Sequence, residues 1–200
     1  MVHKEYKLNE LFYLETMDNY SFPFNIKFKK IVKESITGPA IYIISLNGKI
    51  VYLGSYKKEK SIISARWDKH IQTNTCRGIK VGFGSPNRFE KMYSPIFKIK
   101  GIEVDTTDRL KDTGVVTAEN KVKFCMDNWE HFKDMDENLK LSFHLFIPNS
   151  VNLMQFKQDI LKIERDLIMK INPPSNNEFN KDSAIFELDN AIELILGLYE

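Results

Sequence analysis

The chain is poor in several things that would have classified it quickly. Its 200 residues include two cysteines, two tryptophans and a net charge of only +2. Two cysteines, Cys76 and Cys125, are too few for a disulfide scaffold and match no metal-ligand spacing, so a reduced protein is expected. The small net charge rules out naming a partner from the total. No apolar run approaches the length of a membrane span. The opening "MVHKEYKLNELF" interrupts any apolar core with charge and does not read as a secretion signal. Repeats and low-complexity tracts are also lacking. These absences point to a soluble, cytoplasmic protein with no membrane partner.

What is present suits one compact domain, with 42% hydrophobic residues. Charge is unevenly spread. From Trp67 to Lys100 there are seven Lys or Arg against two acids, whereas Gly101 to Asn138 holds ten acids and five bases. The basic stretch fits a polyanion or a solvated face. Residues 5–20 read as a short amphipathic helix on the spacing of Leu8, Leu11 and Phe12. "SFPFNIKFKKIV" alternates like an extended arm, with Pro23 barring a central-strand role. Ser61–Ile71 reads as a helix, "SPIFKIKGIEV" as a strand, and "AENKVKFCMDNWEHFKDM" as a helix. Leu139–Pro148 reads as a strand and Leu153–Ile171 as the clearest helix, stopped by Pro173 and Pro174. A final helix is expected over "SAIFELDNAIELILGLY".

Gly38–Ser55, "GPAIYIISLNGKIVYLGS", is a hairpin signal, two β-branched arms around Asn47-Gly48. A tyrosine stands in each arm, Tyr42 and Tyr52. A two-residue turn pairs Ile43 with Tyr52 and sends the two phenols to opposite faces. A three-residue loop with Gly48 in a left-handed bulge sets Tyr42 across from Tyr52 on one face. The local sequence permits both. Arg66 and His70 follow four residues apart in the next helix, and Glu164 sits among Ile160, Leu161, Leu167 and Ile168. A carboxylate buried there would need a cation or a set of donors.

Hairpin tyrosine, tyrosine-x-glycine, Arg-x-x-x-His, a helix glutamate and a trailing asparagine, in that order, resemble the GIY-YIG nuclease family. The motifs appear as "AIY" (Ala40–Tyr42) and "YLG" (Tyr52–Gly54). The ten-residue step from Tyr42 to Tyr52 and the twelve-residue step from Glu164 to Asn176 are similar to the family's spacing. The resemblance covers residues 38–71 and 139–177. It implies an α/β core, a small three-stranded, largely antiparallel sheet flanked by helices. Residues 1–37 would add an N-terminal helix and arm, 72–138 a large insertion, and 178–200 a C-terminal helix, all in one domain. Alanine replaces the family's usual first glycine. Ser55 stands where several members carry a lysine, a role left to Lys57, Lys58 or Lys60.

The resemblance implies a divalent-metal-dependent endodeoxyribonuclease with one Mg²⁺ or Mn²⁺ per active site, held by Glu164. Hard Mg²⁺ keeps several waters and takes one or two carboxylates, which suits a lone glutamate. Arg66 would neutralise charge growing on the phosphate. Tyr42 or Tyr52 would take the proton of the attacking water, and a phenol near its reference pKa of about 10 needs positive charge nearby to do so. His70 would bond the base or the phosphate, while Gly54, Lys57, Lys58 and Asn176 would support. The compact layout looks most like a stand-alone type II restriction endonuclease, with Arg77, Lys80, Arg88 and Lys91 in the insertion as DNA contacts. Double-stranded DNA is the expected partner, and a double-strand cut implies a homodimer or two sequential nicks. The alternatives are a catalytically degenerate DNA-binding module and a mobile-element or repair nicking nuclease.

Overall fold

The computed structural model describes residues 1–31, 36–106, 116–135, 139–176 and 187–199. In chain order its elements are β1 (Val2–Lys7), α1 (Leu8–Leu11), β2 (Phe12–Thr16), β3 (Ile26–Lys30), β4 (Ala40–Leu46), β5 (Lys49–Tyr56), a π-helical segment Ile63–Trp67, α2 (Asp68–Asn74), α3 (Pro86–Arg88), a second π-helical segment Phe89–Tyr93, α4 (Ser94–Lys98), α5 (Glu119–Asp127), α6 (Trp129–Phe132), β6 (Leu141–Ile147), α7 (Leu153–Ile171) and α8 (Leu188–Leu196). The fold is mixed α/β. It has a four-stranded sheet, ordered β1-β6-β4-β5, and a separate two-stranded sheet, β2-β3. All pairings are antiparallel.

Two compact units emerge. The first comprises residues 1–11, 31–66 and 138–200, and the second 12–30 and 67–137. In the first, alternation along the strands splits the sheet into two faces. One face presents Ile41, Ile43, Leu53 and Phe146 to Phe156, Ile160, Leu167 and Ile171 of α7 and to Ala191 and Ile195 of α8. The four α7 side chains recur at helical spacing. Their burial removes roughly 6–12 kcal/mol worth of apolar surface from water, at about 1.5–3 kcal/mol per large side chain. Asn172 ends the helix with φ of 56°, its amide donating to the Ile168 carbonyl, the left-handed cap that asparagine tolerates. The expected helix over Leu153–Ile171 is therefore present residue for residue.

The second unit packs around aromatic rings. The Phe83 centroid lies 4.9 Å from Tyr93, 5.0 Å from Phe89 and 5.9 Å from both Phe97 and Phe24. Such spacings suit tilted and edge-to-face pairs.

Three expectations are corrected. The N-terminal stretch 5–20 is strand, one helical turn and strand, because Leu8, Leu11 and Phe12 are buried where β1 ends and β2 begins. "SPIFKIKGIEV" opens as helix α4, not a strand; Pro95 sits in its first turn, where its fixed φ favours a helix, and Ile99 is exposed rather than alternating inward. The sheet has four strands rather than three, because β1 adds itself beside β6. The expected final helix begins at Leu188, and the first residues of that expectation, 183–186, lie outside the described residues. Among the described residues, no helix is long and apolar enough to cross a membrane.

Candidate active site

The hairpin decides whether two phenols can meet. Asn47 and Gly48 both have positive φ, 52° and 76°, and form a two-residue turn that pairs Leu46 with Lys49. That turn alone would set Ile43 across from Tyr52. A register shift between Ile44 and Ser45 intervenes, leaving Ile44 opposite Tyr52 and Tyr42 opposite Gly54. The register is thus neither of the two considered from sequence. The bulge restores what the turn would have lost, since one extra residue on β5 returns Tyr52 to the face of Tyr42. The phenol rings lie 6.1 Å apart at 33°, and the two side chains hydrogen bond to one another.

Gly54 makes that meeting possible. A Cβ there would fall 2.5 Å from the Tyr42 hydroxyl, 2.7 Å from Cζ and 2.9 Å from Tyr52 Cε1. The missing side chain is the space through which Tyr42, rising from β4, lays its ring over β5. Tyr42 is 1% exposed, while Tyr52 is only partly buried.

Burial pushes Tyr42 well above the ordinary phenol range, with Tyr52 and Glu164 adding to the rise and Arg66 opposing it. Tyr52 is pushed up to about 12, again first by burial and then by Glu164, while Arg66 and the hydrogen bond from Tyr42 pull it down. The two shifts together map the site: both phenols feel the same guanidinium and the same carboxylate. Arg66 is the last residue of the 31–66 segment of the first unit, lies on the π-helical segment and is exposed.

Glu164 reaches the outer edge of β5 from α7. Its Oε1 accepts the Ser55 amide at 3.0 Å and its Oε2 accepts the Ser55 hydroxyl at 2.7 Å. Among the described residues no cation lies within ion-pair distance of this half-buried carboxylate. Asn176 acts two residues further down the same edge. Its Oδ1 accepts the Leu53 amide at 2.9 Å and its Nδ2 donates to the Leu53 carbonyl at 2.8 Å. Asn176 therefore completes the backbone pairing of an edge strand.

The remaining expected residues are placed differently. Lys57 and Lys58 are exposed beyond β5, and among the described residues Arg66 is the cation acting on the phenols. His70 belongs to the second unit, on α2, is 7% exposed, and its Nδ1 lies 3.1 Å from Nζ of Lys121. Burial lowers Lys121 to about 7, with Lys69 contributing, so the amine can exist neutral beside the imidazole. Lys80 pairs with Asp68, and Arg88 and Lys91 are exposed.

Arg77 corrects its assignment as a DNA contact. It is 2% exposed, with Nη1 donating to the Pro23 carbonyl at 3.0 Å and Nη2 to the carbonyls of Phe132 (3.0 Å) and Lys133 (2.6 Å). Its guanidinium carbon lies 4.6 Å from the Phe22 ring centre and 5.1 Å from that of Trp129. It clasps three carbonyls on two backbone segments of the second unit instead of facing a phosphate. Sequence reasoning missed Ser55, which the motif "YLGS" presented as a position lacking a lysine. No group of three or more His, Cys, Asp or Glu that could hold a metal is found among the described residues. No protein-family model matches the chain, and neither a curated protein nor a solved structure matches it.

Proposed function

We propose that the chain is a metal-dependent DNA endonuclease of GIY-YIG type, cutting at a specific site in the manner of a restriction enzyme. The observation that carries this reading is one cluster in the first unit: two hydrogen-bonded phenols on one sheet face, both under the influence of Arg66 and Glu164, over a glycine that leaves them room. A core tyrosine pair needs none of these additions.

A hard divalent cation fits the donor set. Glu164 offers about four lone-pair positions on two oxygens, of which Ser55 occupies two, and among the described residues no protein cation neutralises it. Mg²⁺ or Mn²⁺ on Glu164 would supply Lewis acidity toward a phosphate oxygen and positive charge close to the phenols. The protein's own groups do the rest. Arg66, exposed, reaches outward to the phosphate and stabilises charge that grows there. Tyr52 is the more accessible phenol of the pair, so its oxygen is the one an attacking water meets. At about 12, a phenol is ionised to roughly one part in 10⁵ at pH 7, so proton acceptance depends on cationic charge arriving with the substrate. Tyr42 then holds the orientation of Tyr52 from behind.

Double-stranded DNA is the proposed substrate, and of the four expected contacts Arg88 and Lys91 are exposed and unassigned to another role. One site cuts one strand, so a two-strand cut engages two copies or two visits. Incubating the protein with plasmid in Mg²⁺ and in EDTA tests the proposal. Discrete, EDTA-sensitive fragments are expected. A salt-sensitive mobility shift without cutting would make the chain a binding module, and the absence of both cutting and shift would remove nucleic acid from its function.

A further inference from the structure

We propose that Ser55 is the positioning residue for Glu164, holding both carboxylate oxygens at the edge of β5 with the remaining lone pairs open. The cation and cleavage parts of this inference rest on the nuclease reading, whereas the clasp itself does not.

The argument starts from strand geometry. β5 lies at the edge of the sheet, so alternate residues direct their amides and carbonyls away from β4 with no strand to receive them. Leu53 and Ser55 are two such residues. Ser55 stands opposite Ile41, so its side chain lies on the face that packs against α7. One residue thus offers two donors in different directions, an amide in the plane of the sheet and a hydroxyl above it. A carboxylate approaching from α7 over the edge meets both. The observed 3.0 Å and 2.7 Å bonds, one to each oxygen, are that meeting. A hydroxyl-to-carboxylate bond of this length is charge-assisted, the stronger class. Glutamate has three side-chain torsions, and two anchors on separate oxygens leave it little freedom.

The clasp is backed along the same edge. The Ser175 amide donates to the Val51 carbonyl at 2.9 Å, and Asn176 takes both backbone groups of Leu53. The outward groups of residues 51, 53 and 55 are therefore held in succession by α7 and the turn beyond it. With the helix pinned to β5 at these points, Glu164 is held beside Ser55 at the strand's edge. A lysine at 55 would give up the hydroxyl and bring a cation to the carboxylate, a different device for the same position.

Three proteins decide the matter: wild type, Ser55→Ala and Ser55→Thr. Mn²⁺ affinity is measured by electron paramagnetic resonance without DNA, and kcat and KM with a cleavable duplex. Ser55→Ala is expected to lose roughly tenfold to a hundredfold in Mn²⁺ affinity, the usual cost of removing a group that orients a ligand, and to fall in kcat with KM for DNA unchanged. Ser55→Thr keeps the hydroxyl and recovers both. Wild-type Mn²⁺ affinity and kcat in Ser55→Ala, or a Ser55→Thr protein as poor as the alanine variant, overturns the assignment. A metal-free control follows the Ser55 amide proton by NMR in Glu164→Ala, where it moves upfield if the carboxylate was its acceptor. An unmoved resonance removes the clasp whatever the protein does to DNA. A wild type that binds no Mn²⁺ and cuts nothing, with a resonance that does move, removes the nuclease reading and leaves the clasp standing.

Discussion

Gly54→Ala is the sharpest perturbation the hairpin offers. Gly54 lies on β5 with no left-handed backbone requirement, so its whole demand is spatial. The new methyl would sit 2.5 Å from the Tyr42 hydroxyl and 2.7 Å from Cζ, against ordinary contact from 3.4 Å, so the ring must retreat by about 0.9 Å. Tyr42 is 1% exposed and has no solvent to retreat into. Overpacking of this kind costs about 1–3 kcal/mol. In a chain of this size each kcal/mol lowers Tm by roughly 2–4 °C. Misplacing by about 1 Å the phenol that orients Tyr52 costs on the order of a hundredfold in rate, so cleavage per folded molecule should fall even where the protein stays folded. Urea titration and single-turnover cleavage measure the two separately. The double variant Gly54→Ala/Tyr42→Phe removes the closest atom, so it should be more stable than Gly54→Ala alone, a non-additivity expected of groups in contact. A Gly54→Ala protein within about 0.5 kcal/mol of wild type, the range of an indifferent substitution, would refute the claim that the phenol occupies the place of a side chain.

Tyr42→Phe and Glu164→Ala should each abolish cleavage while DNA affinity stays nearly intact, and retained cutting by either variant removes that residue from its role. Arg77→Ala should cost at least about 3 kcal/mol in urea titration, because three backbone carbonyls lose a charged donor inside the second unit; DNA affinity per folded molecule should be unchanged, and a selective loss of affinity would return Arg77 to the DNA surface. His144 is 2% exposed, bonded to Ser45 at 2.9 Å and facing His3 at 3.2 Å, and burial, moderated by Glu5, holds it down to about 4. The neutral imidazole is what the fold accommodates, so its contribution is complete above pH 6.5 and is lost as pH falls toward 4, about 3 kcal/mol in all. Unfolding free energies at pH 7 and pH 4 should therefore differ by about that much more in wild type than in His144→Gln, and equal differences would show that another group carries the acid sensitivity.

Legibility followed how local the physics was. Helix α7 could be read to the residue, because four buried apolar side chains recur at its period and two prolines and a left-handed asparagine stop it. The hairpin around Asn47-Gly48 was equally local, though its two-residue turn could not be told from a three-residue loop. The bulge two residue pairs beyond the turn was not, since nothing in "IISLNGKIVY" distinguishes a ladder that shifts at Ile44 from one that does not; the packing on both faces of the strand decides. Residues 5–20 failed for a related reason, as an i, i+3, i+4 pattern also arises where two strands meet through a single turn of helix. Arg77 looked like a surface cation because its partners, Pro23, Phe132 and Lys133, are more than fifty residues away along the chain. The nearby "SFPF" and "NWEHF" stretches held the signal: aromatic rings that could sandwich a guanidinium.

An edge strand is a liability, since its unpaired amides and carbonyls invite another strand. Here the same groups locate the candidate chemistry. Residues 51, 53 and 55 must find partners outside the sheet, and the chain supplies them from one helix and its exit. A side chain that satisfies such a group is fixed to within a hydrogen-bond length of the strand, which is the tolerance a reacting centre needs. Glu164 is therefore placed by the requirement to complete β5, and Tyr42 by the gap that Gly54 leaves in it. The phenols come from one side of that strand and the carboxylate from the other, and they meet only at its margin. Any substitution that lets β5 pair with a foreign strand would displace Glu164 first, so loss of the site and gain of self-association should appear together.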